Sequence, residues 1–561
     1  MKQLLFLILG AFIAIPVLGR DFTYEYEGQT LTYTVIDEDA KTCKTKDGDG
    51  DYNPNVSGRL IIPSTAKDGA IEYTVTAIGN SAFSYNNISS VEIPNTVVAI
   101  GNGAFEQCAS LTTVNIPNSV VLIENCAFIM CSELSSVKIP DSVKLIGERA
   151  FEECLKLTSV VIPNSVTEIG WGCFYGCTNL MSVQISNIVS TIGDYMFYGC
   201  KNLKEICIPD GVTAVGEYAF HGCTNLNVIT IPSHVASIGD YAFTGCHSLN
   251  RIEWGNSILS IGDYAFYSCK SLVSIEIPNT VTEIGNYAFA SCNSLKKIVL
   301  SNAVSALNEG AFWRCTGLES IVLPNSVTTI GELVFADCTG LTTIAIGRNM
   351  DKIGSEAFNN CRLKDLFITT QRPPWTYNTF DNYSATLHLQ GQKAVTAYNN
   401  STVFQWNKFE NIEVMVEPTK ISTNTSTISG KAGDTFQLTA TVLPEDVTLP
   451  YIFWRSTNPE IATVDNHGLV TFNSDATTGT CKIIAETLYA NGPIAEVIVT
   501  DIPSGVEDVF DDSFSSDEID FNAPVEVYNL HGVMVGRDTN HLATGIYVVR
   551  QGKNVKKIIV G

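Results

Sequence analysis

The stretch Leu272-Val-Ser-Ile-Glu-Ile-Pro-Asn-Thr-Val-Thr-Glu-Ile-Gly-Asn-Tyr-Ala-Phe-Ala-Ser-Cys292 carries two patterns at once. Leu272, Ile275 and Ile277 point inward along a short strand. Pro278 ends that strand, because proline cannot donate to a ladder. Val281 and Ile284 make a second inward pair. Gly285 is expected to give the chain a tight bend without a Cβ penalty. Ala288 and Phe289 then turn back into the core.

The same unit recurs in both directions. Cys108, Cys131, Cys154, Cys177, Cys200, Cys223, Cys246, Cys269, Cys292, Cys315, Cys338 and Cys361 follow one another at 23-residue intervals. A phenylalanine stands three residues before each, from Phe105 to Phe358, and Phe83 opens the series one residue out of step. A fixed period of this kind means a solenoid, in which each unit buries its apolar face against its neighbours. About thirteen coils at a spacing of ~4.8 Å would form a rod about 60 Å long. The phenylalanines are expected to stack as an offset ladder.

The motif L-x-x-I-x-I-P-x-x-V-x-x-I-G-x-x-A-F-x-x-C, clearest from Leu111 to Cys361, resembles the BspA-like leucine-rich repeats of bacterial surface proteins. The departures are local. Ser186 and Ser301 replace the proline, Trp254-Gly255 replaces Ile-Pro, and Leu307-Asn308 replaces Ile-Gly. The expected fold is mainly β: a leucine-rich repeat solenoid over 76–361, then an Ig-like β-sandwich and a small C-terminal β domain.

The 561-residue chain is 45% apolar and 16% charged, with a formal charge of −24. That balance excludes disorder, and it disfavours nucleic acid and anionic membranes, which need clustered Lys and Arg. Lys2, the apolar run Leu4–Leu18 and Gly19 read as a signal peptide over 1–19. The run is too short to span a bilayer, so no transmembrane segment is expected in the mature chain. Export opens the question of disulfides, yet 17 cysteines leave at least one unpaired. Parallel Cβ vectors ~4.8 Å apart also exceed the usual disulfide separation. The ladder cysteines are therefore expected to be buried free thiols facing turn carbonyls.

Residues 20–75 are expected to cap the first coil and residues 362–412 the last. In the second segment Trp375, Tyr377, Phe380, Tyr398, Phe404, Trp406 and Phe409 are expected to cover the open core. Its ending, Trp406-Asn-Lys-Phe-Glu-Asn-Ile412, resembles the closing segment of BspA-like arrays. Asp47-Gly-Asp-Gly-Asp51 has the acid spacing of a calcium loop, but Tyr52 and Gly58 stand where Gly and Glu are required, so a surface turn is expected.

Over 418–500 the period disappears and short alternating strands follow one another, as in a β-sandwich. Trp454-Arg-Ser-Thr-Asn-Pro-Glu-Ile-Ala-Thr-Val464, with Gly468-Leu-Val, is similar to the bacterial Ig-like domain of group 2. The resemblance implies a spacer or an adhesive unit. Residues 503–523 read as an acidic linker. Residues 524–561, with Val525–Gly532, Gly545–Val549 and Lys553–Val560, resemble the C-terminal sorting domain of the type IX secretion system of Bacteroidota. That resemblance implies passage across the outer membrane.

No motif for catalysis, cofactor or metal binding occurs. The seven histidines form no spaced ligand pair, and there is no phosphate loop, G-x-S-x-G or C-x-x-C. The chain is not expected to be an enzyme. Cys207, at an outward strand position, reads as an incidental surface thiol. The candidate binding residues are aromatic. Tyr195, Tyr218, Tyr241, Tyr264 and Tyr287 stand two residues before the ladder phenylalanine. Tyr175, Tyr198, His221, Tyr267 and Trp313 stand one residue after it. In register they would form a stripe along one side, a platform for a ligand or a set of side chains packed over the turns. The expected role, resting on the resemblance, is a secreted or outer-membrane-surface adhesin-like protein that recognises a host or microbial surface protein or a glycan. The alternative is a structural surface protein without a specific ligand.

Overall fold

The computed structural model describes residues 19–48, 55–473 and 480–501, and the strands Glu526–Asn529, Met534–Gly536, Gly545–Gln551 and Asn554–Val560. The expected signal peptide, apart from Gly19, and the acidic linker lie outside the described residues, as does part of the Asp47–Asp51 loop.

The chain is nearly all β, with a solenoid of about 15 turns of ~23 residues. This exceeds the thirteen expected, twelve of which carry the Phe-x-x-Cys signature while Phe83 opens the other. The parallel strand stack begins earlier, at Ser57–Ile61, which pairs with Asn87–Glu92. It also continues later, through Asp365–Ile368, Thr386–Leu389 and Ile412–Val414. Those outer turns keep the inward aliphatic residues but lack the cysteine that made the others visible.

Each coil has three backbone layers. Three-residue strands pair in parallel one repeat apart, as in Ser274↔Lys297, Ile275↔Ile298 and Glu276↔Val299. Two-residue strands form a second stack, as in Ser260↔Glu283 and Ile261↔Ile284. The third layer is a turn whose N–H groups donate to the next coil: Tyr264 N to Asn286 O, Phe266 N to Ala288 O and Ser268 N to Ala290 O, each 2.8 Å. Backbone groups around the whole circuit are thereby satisfied between coils.

Phenylalanine rings stack without a break from Phe83 to Phe380, with centroids such as 5.3 Å for Phe105–Phe128 and 5.8 Å for Phe174–Phe197. The interplanar angle in the Phe266–Phe289 pair is 1°. Ladder thiols point at turn carbonyls as expected: Cys269 Sγ donates to Phe243 O at 3.4 Å, and Cys361 Sγ to Phe335 O at 3.1 Å. All 17 cysteines are free.

The reason for Gly285 differs from the expectation. A Cβ there would lie 2.5 Å from the backbone nitrogen of Asp263 in the preceding coil, so the glycine serves close approach between coils. The left-handed bend falls two residues later, at Tyr287, with φ 53°. The serines that replace proline find partners one coil back. Ser186 Oγ donates to Val166 O at 2.9 Å, and Ser301 Oγ to Val281 O at 2.6 Å.

Both ends of the apolar core are covered. At the front, strands Asp21–Tyr26, Gln29–Asp37, Thr42–Thr45 and Ile71–Ile78 extend the short-strand stack, and Phe22 packs on the buried rings of Tyr33 and Tyr73. At the back, helix Gly391–Asn399 brings Tyr398 against Trp406, whose indole N–H donates to Pro374 O at 2.9 Å. Phe380, Tyr383 and Phe409 complete that cluster. Trp375 and Tyr377 do not join it. Both are exposed, and Trp375 instead lies under Lys352.

The described residues between 417 and 501 form a β-sandwich with its own core, including Ile421, Leu438, Trp454, Val470, Phe472, Cys481, Ile483 and Val497. One sheet holds Thr427–Gly430, Ile494–Asp501, Thr480–Thr487 and Ile452–Ser456. The other holds Thr435–Gln437, Leu469–Phe472 and Ala462–Val464.

Candidate functional site

Two surfaces of the solenoid stand out. The first is the aromatic stripe. In-register stacking puts Tyr195, Tyr218, Tyr241, Tyr264 and Tyr287 in one lane, with neighbouring centroids 4.8, 4.6, 4.8 and 5.0 Å apart. A second lane runs beside it: Tyr175–Tyr198 at 4.5 Å and Tyr198–His221 at 4.6 Å. The lanes touch where Tyr264 meets Tyr267 at 5.7 Å. Trp171 closes one end edge-on to Tyr195, and Trp313 closes the other edge-on to Tyr287. Thr244 and Ala290 interrupt the second lane, so its Tyr267 has no aromatic neighbour within the lane.

The geometry of the stripe decides what it can offer. The rings cover one another's faces, and every residue of the stripe is half-buried. A partner therefore meets ring edges and hydroxyls. Tyr287 donates its hydroxyl to Glu309 Oε1 at 2.7 Å, and burial, with this contact second, pushes its phenol up. Burial also pushes Tyr218 and Tyr264 up. Among the described residues, no side chain or carbonyl accepts from the hydroxyls of Tyr195, Tyr218, Tyr241 or Tyr264.

The backbone under the first lane is left-handed. Its five tyrosines have φ of 53–56°, and the same position is left-handed in other coils, where Ser81, Cys126, Arg149, Leu333 and Glu356 fill it at 49–58° and Gly103, Gly172 and Gly310 at 59–61°. A non-glycine residue in this region costs about 1–2 kcal/mol. Five tyrosines in succession thus hold a conformation that glycine would adopt freely.

The second surface is the outward side of the strand stack, and there the β-sandwich docks. The residue after the strand-ending proline, or after Ser301 and Gly347 in its place, recurs as Asn279, Asn302, Asn325 and Arg348. Asn279 Nδ2 donates to Val464 O at 2.9 Å, Asn302 Nδ2 to Trp454 O at 2.9 Å, and Asn325 Nδ2 to Thr487 O at 2.8 Å. Arg348 donates to Thr487 O at 2.9 Å and pairs with Glu486 at 2.5 Å. Further along, Thr369 Oγ1 donates to Leu488 O at 2.9 Å, and the Gln390 amide exchanges two 2.8 Å bonds with the backbone of Ala490. Val322, Ala345 and Phe367 replace polar residues at the outward strand position and pack with Met415, Val447, Leu449, Leu488 and Tyr489. The domain is thus held against the rod. The sequence signal was the switch from Glu253 and Glu276 to Val299, Val322, Ala345 and Phe367 in one column.

The ladder thiols are poor nucleophiles. Burial pushes Cys108, Cys177, Cys292 and Cys361 up to about 12. Cys207 is exposed on the outward strand surface, as its position implied. His388 stacks on Phe367 at 4.2 Å and lies between Asp365 at 3.0 Å and Glu413 at 3.3 Å. No nucleophile joins this group among the described residues. There is also no cluster of His, Cys, Asp or Glu able to hold a metal among them, nor a helix long and apolar enough to cross a membrane.

A succession of short parallel strands around a Phe and Cys ladder defines a bacterial leucine-rich repeat solenoid, here carrying an Ig-like sandwich. The profile of the BspA type leucine rich repeat region matches residues 76–204, 190–319 and 305–430, more than half of the chain, and the chain belongs to that family. The bacterial Ig-like domain (group 2) matches residues 416–485. Among solved structures, a leucine-rich repeat protein from Bacteroides ovatus is 28% identical, with a TM-score of 0.54 over 66% of this chain and 100% of that one. A leucine rich cell surface protein from Faecalibacterium prausnitzii is 30% identical over 62% of this chain and 95% of its own, with a TM-score of 0.40. No curated protein matches the chain.

Proposed function

We propose that this is an exported, adhesin-like binding protein of the bacterial surface, with the tyrosine stripe as its recognition surface. Membership of the BspA type repeat family supports a binding role at the cell surface. The observation that carries the reading is the unbroken stacked lane of Tyr195, Tyr218, Tyr241, Tyr264 and Tyr287, flanked by Tyr198, Tyr267 and Trp313. Other coils fill the same left-handed position with Ser81, Cys126, Arg149, Leu333 and Glu356, so what distinguishes these five coils is the row of phenol rings and hydroxyls itself. The ring edges and free hydroxyls suit a partner rich in carbonyl or hydroxyl groups, a host or microbial surface protein or a glycan bound by hydrogen bonds. The role needs no cofactor and no chemistry. The strands after residue 525 fit a sorting function that delivers the chain to the outer-membrane surface.

The test is a binding screen of the full chain against extracellular-matrix and glycan arrays, beside a Tyr218→Ser, Tyr241→Ser, Tyr264→Ser variant. The full chain is needed because removing the Ig-like domain bares Val322, Ala345 and Phe367. A saturable hit lost in the variant, measured at a temperature where circular dichroism shows the variant folded, supports the reading. Absence of any saturable hit would move a purely structural role ahead.

A further inference from the structure

The turn that leads from each ladder cysteine into the next strand carries a charge pattern of its own. After the cysteine come two turn residues, an inward aliphatic residue, and two outward residues that enter the strand. In the coils of Cys200, Cys223, Cys246, Cys269 and Cys292 these outward positions hold six permanent cations, Lys201, Lys204, Arg251, Lys270, Lys296 and Lys297, and one acid, Glu205. The whole chain has 34 lysines and arginines against 58 acids, so the local balance is reversed. Backbone hydrogen bonds keep the positions in register. Asn225 N donates to Lys201 O and Asn227 N to Lys204 O, both at 3.1 Å, and Lys296 N to Val273 O at 2.8 Å. The cations thus form a band along the rod, four coil steps or about 20 Å long at the strand spacing.

The acids of these coils stand elsewhere, and for a structural reason. Asp194, Glu217, Asp240 and Asp263 occupy the column before the tyrosine lane. Asp194, Asp240 and Asp263 accept from a backbone N–H of the next coil at 2.8, 2.7 and 2.6 Å. The five lysines have no such task. All are exposed, and among the described residues none is ion-paired or hydrogen-bonded through its amine. Arg251 pairs with Glu253 at 2.9 Å. Burial and the charge of Lys270 push the neighbouring His247 down. Uncharged polar groups lie between the cations: Asn202 and Asn225, joined Nδ2 to Oδ1 at 3.1 Å, then Ser248, Ser271 and Ser294 in the same column.

We propose that this band binds a linear anionic polysaccharide lying along the rod, with the lysines on its sulfate or carboxylate groups and the amide and hydroxyl column on its sugar oxygens. A row of like charges that folding does not use opposes the compact state and attracts a partner of opposite sign. Because the cations recur from coil to coil, a chain with a charge on successive sugars meets several of them at once, which a small anion cannot. The glycine and cysteine columns separate the band from the second tyrosine lane, and the two surfaces share no residue.

The probe is a fluorescent heparin oligosaccharide, titrated into the full chain at low ionic strength and followed by anisotropy. Saturable binding that weakens as salt is added is expected. Lys204→Ala with Lys270→Ala should weaken it about tenfold, the scale of two exposed ion pairs. Lys138→Ala with Lys144→Ala removes the same charge from other columns and should leave binding unchanged. A hyaluronan oligosaccharide, whose anions are all carboxylates, separates the two groups: binding equal to heparin assigns any anionic sugar chain, and weaker binding assigns sulfate. Binding lost in Tyr218→Ser but kept in the lysine variant would put the probe on the tyrosine stripe and overturn the proposal. So would no saturable binding, or linear polyphosphate bound as tightly as heparin.

Discussion

Arg348 of the solenoid and Glu486 of the Ig-like domain face each other at 2.5 Å, and Arg455 approaches the same carboxylate at 3.5 Å. The Glu486 side chain is only 11% exposed, and these two cations face its carboxylate. Arg348→Ala removes the closer one and leaves the carboxylate under-compensated. Undocking should become easier by about 3 kcal/mol, the low end for breaking a buried pair because Arg348 keeps some contact with water. Small-angle scattering of the variant should report a larger radius, and protease should gain access near residues 411–420. Adding Glu486→Gln should recover part of the loss, since the two effects are coupled. A variant indistinguishable from the parent would mean that the apolar contacts around Ala345 and Tyr489 suffice.

Phe220 lies between Phe197 and Phe243, with centroids at 5.4 and 5.1 Å, and is fully buried. Phe220→Ala should cost about 3–5 kcal/mol, read from the urea midpoint. Each coil touches only its neighbours, so the damage should stay local and lower the cooperativity of unfolding. Phe380→Ala, at the half-buried end of the ladder, should cost less.

Most of the solenoid was legible because one period repeats a dozen times, and each repeat states the same inward residues, turn and thiol. Turns without Phe-x-x-Cys were invisible for the same reason: Ser57–Ile61 and Thr386–Leu389 carry only a short alternation that many strands share. The tyrosine columns could be read from spacing, but their left-handed backbone could not, because residues as different as Ser81, Arg149, Leu333 and Gly310 fill that position in other coils and no residue type marks it. The docking of the Ig-like domain was the least accessible. It depends on Asn279, Asn302 and Asn325 meeting carbonyls more than 150 residues away, and asparagine after proline also fits a solvated turn.

The thiol ladder should make stability fall at alkaline pH. Burial raises the folded thiols of Cys108, Cys177, Cys292 and Cys361 from 9.0 to about 12. Above pH 9 the unfolded chain loses these protons while the folded chain keeps them, so the unfolded state binds fewer protons and stability declines as pH rises. The contribution is fully present below pH 9 and lost as pH climbs toward 12. Urea midpoints between pH 8 and pH 11 should show the decline, and Cys177→Ala with Cys292→Ala should make it shallower. In the native protein at pH 8, a thiol reagent should label Cys207 first, and the buried ladder only after denaturation.

The left-handed tyrosines allow stability and recognition to be separated. At Tyr241 the backbone has φ 56°, and its ring stacks on Tyr218 at 4.6 Å and Tyr264 at 4.8 Å. Tyr241→Gly releases strain of about 1–2 kcal/mol and forfeits stacking of a similar size, about 0.5–1.5 kcal/mol for each aromatic pair. Its melting temperature should therefore stay close to that of the parent. Tyr241→Ala keeps the strain and loses the stacking, so it should melt lower than Tyr241→Gly. If the ring also serves recognition, both variants should lose partner capture to the same degree despite their different stabilities. Capture that tracks melting temperature instead would assign the stripe to packing alone.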